Sequence, residues 1–189
     1  GALAALGYLP AAHPAPVEAF ERQAAERARH YDSLRQDLPP EGRGAGLLKE
    51  LLREKAHLHA RRALQAVGLL TGRETTAIAL ESLTSAEAGQ RAAALEALES
   101  LGRHWRAIIR PLLQLWEQEA PRRASIQADP FTVLLSDPDP WLRLCAAFAA
   151  LDLPDRLPAL RELALAELAL SSGVPPMNTL PTLSLMERV

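Results

Sequence analysis

The side chains able to do chemistry are few and scattered. Five histidines, His13, His30, His57, His59 and His104, are the first place to look for a metal. His57 and His59 stand two apart, which on a helix directs them roughly 200° away from each other, so they cannot share an ion. No cysteine or third histidine lies at ligand spacing. The carboxylate pairs Glu96/Glu99 and Asp137/Asp139 are of the type that acid–base catalysis uses. The first pair falls on the polar face of an expected helix and the second in a turn, where solvation and capping account for both. Gly42-Arg43-Gly44 is too short for a phosphate loop and lacks the strand, helix and Lys/Ser that would complete one. Cys145, alone in an apolar helix, reads as a small buried hydrophobe. No catalytic, metal or cofactor-binding residue emerges.

The elements that carry these residues are helices. Hydrophobic residues make up 48% of the 189, yet aromatics only 4%, the balance being Ala and Leu. Both lose little side-chain entropy in a helix, and no Val/Ile/Thr run of strand type interrupts them. The fold class is all-α. A net charge of −2 gives no electrostatic reason to expect nucleic acid. Arg61-Arg62 and Arg122-Arg123 alternate with acids and lack interleaved aromatics. A single cysteine excludes a disulfide within the chain, which fits a reducing compartment. No run reaches the roughly 18 apolar residues of a membrane span. Because the chain opens on an apolar Gly1–Leu9 without a basic flank, it is expected to be a piece of something longer rather than to begin with a signal peptide.

In order, 1–16 reads as a linker, its Pro10–Pro16 stretch forbidding a helix interior. Residues 17–72 supply two N-terminal helices. The first, Val17–Leu38, is polar with few anchors (Phe20, Ala24, Tyr31, Leu34), and is expected to pack lightly or touch a partner. The second, Leu47–Leu70, carries a stripe through Leu48, Leu52, His59, Ala63, Val67 and Leu70, widened by Leu47, Leu51, Leu58 and Leu64. Thr71-Gly72 stops it, with Gly72 at the left-handed C′ position. Residues 73–170 read as hairpins, and two segments rhyme. Leu83 to Leu98 and Leu135 to Leu151 each end one apolar helix, turn through polar residues and open an Arg-led, Ala-rich helix at Arg91 or Arg143. Between them Trp105, Ile108, Ile109, Leu112, Leu113 and Trp116 keep helical spacing, with a kink expected at Pro111. Gly102–His104 is expected to turn the chain and Glu117–Ala128 to connect it. Asp129-Pro130 and Asp139-Pro140 are helix openings, and Arg156–Leu170 adds a further amphipathic helix. Residues 171–189 read as a linker toward a missing downstream domain. The structural and interface candidates are Trp141, Arg143, Arg91, Trp105 and Trp116. Trp141 is expected to wedge between hairpins and Arg143 to bond the neighbouring turn.

Arg91–Leu98, Ile108–Leu113 and Leu134–Arg143 resemble HEAT repeats. They resemble in particular the HEAT segment of bacterial membrane proteins that join a nucleotide-translocase-like (ADP/ATP carrier, major-facilitator-type) half to a cyclic-nucleotide-binding domain. Leu51–Leu70 is similar to the helix preceding those repeats, and Thr179–Val189 to the lead-in to their cyclic-nucleotide-binding barrel. Val17–Leu38 matches poorly, and the barrel lies outside the chain. The resemblance implies a HEAT-like α-solenoid on the cytoplasmic face of a membrane, a non-catalytic module coupling neighbouring domains of the same polypeptide. It allows a protein partner on the concave face, no nucleic acid, and membrane contact only through a flanking transmembrane region. The alternative is a HEAT-like enzyme or chaperone scaffold of bilin-lyase or DNA-glycosylase type.

Overall fold

The computed structural model describes residues 14–39, 42–101, 105–117, 129–151 and 158–172. These form α1 (Pro14–Asp37), α2 (Arg43–Thr71), α3 (Arg73–Ser82), α4 (Ala88–Glu99), α5 (Arg106–Leu113), α6 (Pro130–Leu135), α7 (Pro140–Leu151) and α8 (Pro158–Ser172). The described residues contain no strand, so the chain is all-α. The expected turn at 102–104, most of the 117–128 connector, the apolar start and the 173–189 part of the C-terminal linker lie outside the described residues. Two compact units emerge: Gly1–Asp37 with Glu50–Ser125, and Leu38–Lys49 with Ile126–Val189.

The first unit is built on close helix approach. Its core joins Ala24, Ala25 and Ala28 of α1 to Ala60, Ala63, Leu64 and Val67 of α2, and to Leu80, Leu98, Ile109 and Leu112 of α3, α4 and α5. This corrects the light packing expected of α1. Of its alanines only Ala24 was counted as an anchor, whereas Ala25 and Ala28 bury almost completely beside it. The helix also starts at Pro14, three residues ahead of Val17. Pro14 and Pro16 fall in its first turn, where a missing N–H costs nothing.

A one-residue joint at Gly72 leads from α2 to α3. Its φ of 166° is extended backbone rather than the left-handed C′ geometry expected there. The glycine that the joint requires is Gly68, since a Cβ there would lie 2.7 Å from Thr76 Cβ. Pro111 does not kink a long helix; α5 ends two residues later at Leu113. The chain continues to Trp116 through turns closed by Leu115 N–H to Leu112 O (3.1 Å) and Trp116 N–H to Leu113 O (2.9 Å).

In the second unit α7 packs on both α6 and α8, and α8 also touches α6. Asp129 caps α6 by accepting from Thr132 N–H at 3.0 Å. Asp139 caps α7 through Trp141 N–H at 2.9 Å. The first turn of α2 belongs here, and Gly44 lies so close to α7 that a Cβ would sit 2.6 Å from Ala149 Cα. Ala45, Leu48, Phe131, Leu134, Leu142 and Ala146 are all buried. Leu47, expected on the apolar stripe of α2, is instead 66% exposed, and Leu58 is exposed too. The buried face of α2 runs through its alanines, which leaves both leucines on the other side.

Candidate functional site

The two rhyming segments fold to one plan, related by a shift of 52 residues from Arg91 to Arg143. Arg91 donates through Nη1 to the carbonyls of Ser85 and Ala86, both at 2.8 Å. Arg143 donates through Nη1 to the carbonyls of Asp137 and Pro138, at 3.0 and 3.3 Å. Each arginine thus ties the start of its own helix to the turn before it, satisfying carbonyls that no helix pairs. The correspondence extends through the turn. Glu87 N–H donates to Ser85 Oγ at 3.2 Å, and Asp139 N–H to Asp137 Oδ1 at 2.8 Å. Ser85 N–H reaches Ser82 O and Asp137 N–H reaches Leu134 O, each at 3.1 Å. The second turn has a further tie to a neighbouring helix. Its arginine also forms a 2.8 Å ion pair through Nε with Glu167 of α8.

Trp141, expected as a wedge, stands 68% exposed at the start of α7, its backbone N–H bonded to Asp139. Trp105 and Trp116 are partly buried against the first unit's core. Trp116 stacks on His57 with ring centroids 4.9 Å apart and planes 14° off parallel. His57 Nε2–H donates to Leu115 O at 3.0 Å. Burial holds this imidazole below the ordinary histidine range, against the opposing pull of the Leu115 bond. His59, on the other side of α2, is buried beside Tyr31, its ring centroid 5.5 Å away. The two histidines point apart, and among the described residues no three His, Cys, Asp or Glu side chains come together as a metal site.

Sequence reasoning missed Glu21. It is only 1% exposed, and its Oε1 has no hydrogen-bond partner. Burial raises its carboxyl above the ordinary value, outweighing Arg22 and Arg29 on its own helix. The signal was its place four residues after Val17 and four before Ala25, inside the stripe that packs.

Among the described residues of the first unit, concavities open at the α2–α3 elbow and between α3 and α4. One, of about 290 Å³, lies in the α2–α3 elbow between Arg61, Gln65 and Arg73. The hydroxyl on its floor, Thr76 Oγ1, is committed to Gly72 O at 2.8 Å. The other, of about 320 Å³, is a groove between α3 and α4 lined mostly by small and apolar residues, Ile78, Ala79, Ala93, Ala94 and Ala97 among them. Cys145 is half-buried, and burial and then the Asp139 charge raise its thiol, which suppresses the thiolate. Among the described residues the arrangement offers packing surfaces and clamped turns, with no nucleophile poised beside a base. Comparisons with protein families, with curated proteins and with solved structures find no match. No described helix is long and apolar enough to cross a membrane.

Proposed function

We propose that this chain is a non-catalytic interaction and coupling module, built of stacked helical hairpins of the HEAT type. The observation that carries this reading is the reuse of one arginine-clamped turn in two hairpins. Repetition of a supersecondary unit with small-residue helices is how α-solenoids form extended surfaces for partners. The committed Thr76 hydroxyl and the suppressed Cys145 thiol support a surface that binds rather than reacts. The particular setting rests on the residues that resemble the HEAT segment of translocase-like membrane proteins. There the module links a membrane half to a cyclic-nucleotide-binding domain on the cytoplasmic face and transmits small rigid-body shifts between them.

Calorimetric titration of cyclic AMP and ATP into the chain tests the non-catalytic coupling role. No saturable heat is expected up to roughly 1 mM ligand, since neither a phosphate-cradling loop nor convergent basic groups are present among the described residues. Saturable binding of either nucleotide would overturn the reading. The flanking coding sequence tests the setting separately. About a dozen apolar spans before this chain and a β-barrel pattern after it are expected, and their absence would remove the transporter context.

A further inference from the structure

Resting on the reading of the chain as an interaction module, we propose that the α3–α4 groove docks a partner-protein helix with a Gly/Ala face flanked by Lys or Arg. The 52-residue correspondence supplies the comparison. Ile78, Ser82, Gln90 and Ala97 of the first hairpin correspond to Pro130, Leu134, Leu142 and Ala149 of the second. All four counterparts are buried, whereas Ile78 is 60% exposed and Gln90 is exposed. The second hairpin is covered: α8 packs on both its helices, and Gly44 of α2 rests on Ala149, with Ala45 and Leu48 buried beside it. Ala97, in the same place of the first hairpin, instead lines an open groove of about 320 Å³.

The occupant of the second hairpin states what fits. Its sequence is Arg43-Gly-Ala-Gly-Leu-Leu-Lys49: a helical turn whose glycine permits backbone contact, with a cation at each end. The first hairpin favours the same charge. Between Arg73 and Leu101 five carboxylates stand against two arginines, and Arg91 is already committed to its turn. Glu74, Glu81 and Glu96 are exposed and immediately precede the groove residues Thr75, Ser82 and Ala97. A basic helix with a small face therefore finds an apolar floor and acidic neighbours.

The test uses the full chain with isotope-labelled methyl groups and a synthetic peptide of residues 42–56 as the helix probe. Saturable shifts are expected at Ile78, Ala93 and Ala97, and Ala93→Leu, at an exposed position, should weaken binding at least about tenfold by filling the groove. Ala93→Gly, which leaves the groove open, should retain it. No saturable shift up to roughly 1 mM peptide, or shifts that Ala93→Leu leaves unchanged, would overturn the proposal. Shifts at Ala149 in place of Ala97 would mean that the peptide displaces the chain's own first turn of α2, and would also overturn it. Concentration-dependent shifts at Ile78 without peptide would assign the groove to a second copy of this chain instead. Each of these failures leaves the nucleotide titrations unchanged, so it is separable from failure of the module reading.

Discussion

Three glycines in one helix allow the same substitution to be made with opposite expected signs. Gly44, Gly46 and Gly68 all lie in α2. A Cβ on Gly46 meets nothing within 4 Å, so Gly46→Ala should register only the helix propensity gain, about 0.5–1 kcal/mol of added stability. A Cβ on Gly44 would lie 2.6 Å from Ala149 Cα, and one on Gly68 2.7 Å from Thr76 Cβ. Ordinary contact begins at 3.4 Å, so α2 must move away by several tenths of an ångström at either site. Overpacking of that kind costs about 1–3 kcal/mol, against which the propensity gain offsets less than about 1. Gly44→Ala and Gly68→Ala should therefore be net destabilising, Gly44→Ala the more so because backbone atoms of α7 receive the new methyl group. Urea unfolding followed by circular dichroism and tryptophan fluorescence reads all three, with Trp141 reporting on the second unit and Trp105 and Trp116 on the first. Gly44→Ala or Gly68→Ala as stable as Gly46→Ala would refute the close approach of α2 to α7 or to α3.

Leu98 is fully buried in the first unit's core, so Leu98→Ala should lower stability by about 2–5 kcal/mol in denaturant unfolding, and a loss below about 0.5 would put α4 in another register. Glu21 should make stability depend on pH. Burial raises its carboxyl above the ordinary 4.5, so between the unfolded and the raised value the folded state keeps a proton that the unfolded chain has released. Its contribution is fully present below the unfolded value and is lost as pH rises through the raised one. Glu21→Gln, which stays neutral, should be more stable than the wild type at pH 7 and lose that advantage near pH 4. A difference that does not change with pH would show that Glu21 titrates alike in the folded and unfolded chain, and so that burial does not raise its carboxyl.

Much of this architecture was legible in the residues, and the losses have physical causes. Ala94 and Leu98 are buried, and Leu95 and Leu101 are partly buried against the same core, all on the face that helical spacing assigns them. Asp129 opens α6 as an N-cap, as the Asp-Pro pair implies. The position of Trp141 was not legible, because whether a bulky residue at a helix start points in or out depends on which neighbour covers it. Alanine-rich α1 was undervalued because small residues reveal burial only once the facing backbone is known. Gly44 looks like a turn residue in the sequence, and Gly68 like a weak point inside a helix; only the approach of a second helix shows why each stands inside α2. The groove was invisible for a related reason: Ala93 and Ala97 carry the same periodicity whether their face is covered or open.

The claim that one hairpin plan is used twice is tested most directly by hydrogen exchange at the two turns, in the wild type and in Arg91→Gln and Arg143→Gln. Gln keeps much of the aliphatic stem but cannot span both carbonyls, so each variant should lose a charge-assisted clamp in its own hairpin. The account predicts faster exchange across Ser85–Arg91 in Arg91→Gln and across Asp137–Arg143 in Arg143→Gln, with the other turn unchanged in each case. Unaltered exchange at either turn, or loosening of the wrong one, would contradict it.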